Sequence, residues 1–281
     1  MEQDLTTGSV FKRIVYFSLP YLLSYFLQTL YGMADLFITG QFYGVDTITA
    51  VSNGSQIMHM MTVIIVGLAM GTTVTIGHSV GAKCMEQAEK IIGNTITLFM
   101  GIAVAFTVIL VVLVKPIVVL IATPQEAVAG TSIYLLICFI GIPFITAYNI
   151  ISSIFRGLGD SKSPMYFIGI ACVMNIALDY LFMGAFHMGA AGAALGTVCA
   201  QTFSVLVALW VIRRRKTGIS LKKSDFKIER AVIGQVLKIG IPVALQDGFI
   251  QVAFMIITVI ANSRGVSLSL IHISEPTRRR G

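Results

Sequence analysis

Between Asp46 and Lys83 the chain has no charged side chain, and between Lys162 and Arg213 it has only Asp179. A helix of about 20 apolar residues spans a bilayer, and runs of this length exceed what a soluble core needs. Composition points the same way. Of the 281 residues, 56% are hydrophobic and 12% charged, about half the charge usual for a soluble domain. A disordered chain, a secreted disulfide scaffold and an ordinary soluble enzyme are excluded. The expected fold class is an all-α integral membrane bundle.

Seven stretches read as spans: Ile14–Gly40, Val51–Ser79, Ile91–Val114, Thr131–Phe155, Pro164–Phe186, Gly189–Ile212 and Ile239–Asn262. The first is too long for a cleaved signal peptide and lacks a small-residue cleavage site. Lys and Arg then set the orientation. With a cytoplasmic N-terminus, the inner segments hold fourteen of them: Lys12, Arg13, Lys83, Lys90, Arg156, Lys162 and eight between Arg213 and Arg230. The outer loops hold only Lys115. A multi-pass protein of the cell (plasma or inner) membrane is expected, with its N-terminus in the cytoplasm. The net charge of +7 then faces membrane lipids, and no nucleic-acid partner is expected. Cys84, Cys138, Cys172 and Cys199 form no CxxC pair, so they read as small apolar side chains rather than metal or disulfide chemistry.

Residues 1–212 form the expected six-helix lobe, and 213–235 a basic cytoplasmic linker with a short interfacial helix. Residues 236–267 read as the first helix of a second lobe, because "IGIPVAL" around Pro242 resembles "FSLPYLL" around Pro20. Repeated halves are common in transporters. The tail from Leu268 to Arg278, "LSLIHISEPTR", resembles translated sequencing-adapter DNA. Residues 268–281 are therefore expected to be non-native, and the chain a fragment.

Three acids fall inside spans: Asp35, Asp179 and Asp247. A charge at a helix centre costs ~2.5–3.5 kcal/mol on insertion scales, and such groups usually face a cavity. Counting 1.5 Å per residue from the outer helix ends puts Asp35 at ~8 Å, Asp179 at ~10 Å, Thr197 at ~12 Å and Asn175 at ~16 Å depth. Asn175 and Asp179 share a face at i, i+4. This layer of oxygens suits a hard cation such as Na⁺. Two close carboxylates also oppose each other's ionisation, so one of them is expected to hold and exchange a proton. No role follows for Asp247, and no catalytic residue is assigned.

At these residues the chain resembles the multidrug and toxic compound extrusion (MATE) family. The matching stretches are "ADLFITGQFYG" (Ala34–Gly44), "GLAMGTTVTIGHSVGAK" (Gly67–Lys83), "RGLGDSKSPM" (Arg156–Met165), "NIALDYLF" (Asn175–Phe182) and "GAAGAALGTVCAQ" (Gly189–Gln201). The resemblance implies twelve helices in two lobes, alternating access and efflux of drugs against Na⁺ or H⁺, with no enzymatic step and no other cofactor. It assigns ion coupling to Asp35, Asn175, Asp179 and Thr197, and helix bending to Pro20. Amphipathic, often cationic substrates are expected, with Gln28, Tyr31 and Tyr148 lining their chamber. The position paired with Asp35 in the repeat is Ile257, so coupling is expected in the first lobe only. A fragment without its C-terminal lobe is expected to bind a cation but not to transport.

Two alternatives are weighed. A lipid-linked oligosaccharide flippase of the same superfamily would line its cavity with Arg and Lys, which the spans lack. An intramembrane aspartyl protease is suggested by "GLGD" (Gly157–Asp160), but Asp160 falls in a loop between Arg156 and Lys162.

Overall fold

A computed structural model describes residues 9–214 and 221–263. Regular structure among these residues is helical: α1 (Val10–Phe42), α2 (Val45–Gly81), α3 (Met85–Leu120), α4 (Gln125–Gly157), α5 (Lys162–Asp179), α6 (Gly189–Arg214) and α7 (Arg230–Ser263). A π-helical turn, Tyr180–Ala185, continues α5, and a 3₁₀ turn, Lys223–Phe226, precedes α7. The suspected non-native tail lies outside the described residues.

Among the described residues, six helices are long and apolar enough to cross a membrane by length and composition: α2, α3, α4, α5 with its π turn, α6 and α7. Seven spans were expected, and α1 supplies the remaining helix. It runs 33 residues, but Tyr16, Tyr21, Tyr25, Gln28, Tyr31 and Asp35 dilute its apolar content. Pro20 is buried inside it, and Ser24 Oγ donates to the Pro20 carbonyl at 2.8 Å.

Short turns make sequential helices antiparallel neighbours. After α4, Gly159 takes φ +88°, a left-handed conformation that costs glycine little. The Asp160 N–H then donates to the Phe155 carbonyl at 2.9 Å. Asp160 Oδ1 accepts the N–H groups of Lys162 and Ser163, each at 3.0 Å, and Oδ2 accepts the Ser163 hydroxyl at 2.6 Å. That carboxylate caps the start of α5. Its partners are structural, which removes the feature that suggested a protease.

The core has three buried clusters. One, around Phe139, Leu135, Cys138 and Met183, packs α1, α2, α3, α4 and α6 together beside the acids. A second, around Phe167, Ile168 and Phe155, joins α4, α5 and α6. The third, around Ile76, Ile91 and Phe99, includes Val236 of α7. The cysteines are free, with Cys138 and Cys172 buried and Cys199 exposed.

The linker differs from expectation. α7 starts at Arg230, earlier than the boundary at Gln235, and the 3₁₀ turn is docked on α3. Asn94 Nδ2 donates to the Asp225 carbonyl at 3.1 Å, Asn94 Oδ1 accepts the Glu229 N–H at 2.7 Å, and Thr97 Oγ1 donates to the Phe226 carbonyl at 2.9 Å. A methyl group at Gly93 would overlap the Asp225 backbone. From this anchor α7 runs along α2 through a seam of small residues. Gly67 leaves room for Ala244, Gly71 for the Val236 carbonyl, and Gly240 for Leu68. Small residues at such spacing let helix backbones approach closely.

Asn94→Ala removes the acceptor and donor that hold this turn. The expected cost is about 1–3 kcal/mol of local docking, read as faster tryptic cleavage at Lys222, Lys223 and Lys227 in the folded protein. An unchanged cleavage rate contradicts the docking.

Candidate functional site

The four residues grouped by depth meet in the structure. Asp35 is 3% exposed, Asn175 and Asp179 are 0% and Thr197 is 8%. Thr197 Oγ1 donates to Asp35 Oδ2 at 3.3 Å. Asp179 and Asn175 also lie close enough to interact with the Asp35 carboxyl. Yet Asp35 Oδ1, both carboxylate oxygens of Asp179 and both amide atoms of Asn175 lack a hydrogen bond of good geometry. Buried polar atoms normally have partners, because each one left unpaired costs about 1–3 kcal/mol. The cluster thus holds four acceptor oxygens from α1 and α5 with too few donors. Oxygens of this type ligate Na⁺ or take up a proton.

Local structure explains how three helices reach one point. Asn175 and Asp179 lie one turn apart on α5. Directly after Asp179 the helix widens into its π turn, a distortion frequent at functional sites. On α6, Gly196 lets the helix press against α5: a methyl group there would overlap Asp179 Oδ1 and stand 3.5 Å from Asn175 Nδ2. α1 is seated beside them at Thr39, whose Oγ1 donates to the Asp35 carbonyl at 2.6 Å and lies 3.5 Å from Met183 Sδ. Beyond it, Tyr43 Oη donates to the Met183 carbonyl at 3.0 Å and accepts the Gly189 N–H at 2.9 Å. One phenol therefore ties the end of α1 to the π turn and to the start of α6. None of Gly196, Thr39, Tyr43 and Met183 was singled out from sequence, although Thr39 and Tyr43 stand in the matching stretch Ala34–Gly44.

The expected chamber residues separate. Tyr31 is half-buried and neighbours Asp35 and Thr197, so it belongs to the acid cluster. Gln28 is half-buried on α1. Tyr148 is 6% exposed and packs with Phe155, Phe167 and Ile168. It is a core residue here, because the rotation of α4 turns it toward α5. Tyr134 joins the layer from α4, with its hydroxyl 3.0 Å from Ser55 Oγ and within electrostatic reach of Cys138 and Asp35.

The MatE family pattern matches residues 20–181, which cover α1 through the start of the π turn. The chain belongs to the MATE family. It is 34% identical over 263 residues to the probable multidrug resistance protein YpnP of Bacillus subtilis (strain 168), covering 93% of this chain and 58% of that protein. Two solved MATE structures, one described as the bent and one as the straight conformation, each superpose with a TM-score of 0.83 at 25% identity. The bent structure is matched over 92% of this chain and 58% of its own, the straight one over 93% and 58%. The chain thus spans little more than half the length of the MATE relatives it matches.

Gly196→Ala displaces Asp179 without altering any ligand. On the ion-coupling role proposed below, it is expected to weaken Na⁺ or proton binding by about tenfold or more, the scale of a lost partner at a metal's outer shell. The control is Gly101→Ala, where a methyl group meets nothing within 4 Å. Equal affinities in the two variants, by isothermal titration in detergent, contradict the assigned contact.

Proposed function

We propose that this chain is the first lobe of a cation-coupled multidrug efflux antiporter, with the opening helix of the second lobe attached at α7. The observation that carries the reading is the buried cluster of Asp35, Asn175, Asp179 and Thr197 with its orphaned oxygens. The transported ion, Na⁺ or H⁺, supplies the missing positive charge. The family membership and the multidrug resistance name of the Bacillus relative support efflux as the outcome.

In this mechanism the ion enters from the outer face, where the residue counts place the acids. Binding relieves the repulsion between Asp35 and Asp179 and favours a tighter approach of α1 to α5 and α6. α1 is suited to respond. Pro20 deletes one backbone hydrogen bond and so weakens the helix locally. The cytoplasmic half of α1 is pinned separately. Lys162 Nζ donates to the Tyr16 hydroxyl, and the Arg156 guanidinium lies 5.3 Å from the Tyr21 ring centroid. Movement of α1 against these ties changes the wall of the drug chamber. Amphipathic cargo, often cationic, leaves as the ion enters.

Two measurements test the reading. The chain in lipid nanodiscs should show a Na⁺- or pH-dependent change in the fluorescence of its single tryptophan, Trp210, or of a label on α1. Asp35→Asn and Asp179→Asn should each abolish that change. Residues 1–263 joined to the second half of the Bacillus relative should export ethidium from a pump-deficient host. The same two substitutions should cut export by about tenfold or more, as expected for a lost intramembrane charge. Wild-type export that survives both substitutions rejects the coupling role.

A further inference from the structure

The 3₁₀ turn ahead of α7 takes no part in ion coupling, yet it is held firmly. Asn94 and Thr97 of α3 grip it through backbone groups of Asp225, Phe226 and Glu229. The Asp225 side chain is buried, and its Oδ2 accepts the Lys222 N–H at 2.7 Å. Held by its backbone, the segment leaves most of its side chains outside. Leu221, Phe226 and Ile228 are exposed, and they alternate with the exposed Lys222, Lys223 and Lys227. Arg230 and Glu229 complete the exposed charges of residues 221–230. Among the described residues none of the three lysines forms an ion pair.

The place where the turn is held decides what these side chains meet. α3 is the most apolar of the six candidate spans and the least buried. Thr97 heads a stripe along it, continued at helical spacing by Gly101, Val104, Val108 and Val112, and those four are exposed. This stripe is the face that α3 offers to acyl chains. Its polar end is marked by Glu86 and Lys90, which pair at 3.7 Å. Asn94 and Thr97 lie ~6 Å and ~10 Å beyond Lys90 along the helix. The turn therefore sits beside the first turns of the apolar run, at the level where headgroups give way to acyl chains. A segment of mixed apolar and cationic side chains suits that level.

We propose that residues 221–230 form a docking surface for anionic lipid headgroups. Lys222, Lys223 and Lys227 meet the headgroup phosphates, and Leu221, Phe226 and Ile228 enter the acyl layer beside α3. Lysine stems are long enough to lie along apolar surface while the ammonium groups reach the phosphates. A negative lipid surface attracts each such lysine by about fivefold in association. A soluble acidic partner satisfies the lysines equally well, but it leaves the apolar side chains and the adjoining stripe of α3 without a role. Lipid satisfies both. α7 begins at Arg230, so headgroups bound here also steady the start of the helix that packs on α2. The proposal is independent of the ion-coupling reading.

The test uses the full chain carrying Phe226→Trp and Trp210→Phe, in nanodiscs of phosphatidylcholine with a minor share of phosphatidylglycerol. Bromine on the acyl chains of one lipid or the other quenches a nearby tryptophan. The ratio of the two quenching efficiencies, corrected for mole fraction, reads the local lipid preference. Both brominated lipids should quench, with phosphatidylglycerol preferred by about fivefold for each lysine engaged. Lys222→Gln, Lys223→Gln and Lys227→Gln together should abolish the preference and leave quenching by phosphatidylcholine in place. The same three positions changed to Arg should keep the preference, which separates charge from misfolding. Native mass spectrometry of the chain without the tryptophan changes gives a second reading: retained phosphatidylglycerol should fall in the Gln variant and persist in the Arg variant. Equal quenching per mole by the two lipids overturns the proposal. So does a preference, or a retained lipid, that survives the Gln changes. Quenching by aqueous iodide with neither brominated lipid effective also overturns it, and leaves a soluble acidic partner as the occupant.

Discussion

The arrangement of the bundle turns on two carboxylates held in apolar surroundings with too few donors. Asp35 and Asp179 are almost wholly buried, and among the described residues Thr197 offers the one side-chain hydrogen bond to the pair, a long one at 3.3 Å. An isolated charge in such a place is expensive, and side chains free to move would turn toward headgroups. Here packing forbids the escape. Gly196 brings the α6 backbone onto Asp179, Tyr43 joins α1 to the π turn and α6, and Thr39 holds α1 against Met183. Folding energy from the surrounding apolar clusters keeps the oxygens together, and the proposed coupling ion would lower the cost of doing so.

The same logic accounts for what could be read in the sequence. Charge-free runs revealed the helices because lipid exposure forces nearly continuous apolar residues. Asp35, Asn175, Asp179 and Thr197 were legible because ionisable or polar side chains at spanning depth are conspicuous, and because counting residues from helix ends gives depth directly. Rotation is a different quantity. Tyr31 and Tyr148 look alike as tyrosines in apolar spans, yet one faces Thr197 and the other packs against Phe167. Nothing in a single sequence fixes which face of α4 meets α5.

Other parts were hidden for more specific reasons. Gly196 is one glycine among 26, and its importance lies in the atoms opposite it. The π turn occupies "YLFMGA", which has the composition of any apolar helix. The linker's docking uses backbone carbonyls of Asp225 and Phe226, which carry no sequence signature, and a polar α3 residue, Asn94, more than a hundred positions away. The tyrosines of α1 lower its apolar content, yet they are amphipathic. Their rings tolerate the membrane while their hydroxyls reach partners inside the bundle.

α1 also relates the two ends of the molecule. From Tyr21 to Phe42 it is helical with no internal proline, so this segment moves nearly as one stiff body. The segment carries Asp35 near one end and the Tyr21–Tyr25 pair near the other. Pro20 lies just outside it, between Tyr16, which Lys162 holds, and Tyr21, which Arg156 covers. In the proposed cycle, a change of charge at Asp35 that shifts the stiff segment carries the tyrosines with it. The flexible point absorbs the difference before the tie at Tyr16. In the proposed cycle Asp35 and the Tyr21–Tyr25 pair move together through the rigidity of one helix, with no need for a chain of side-chain contacts running between them.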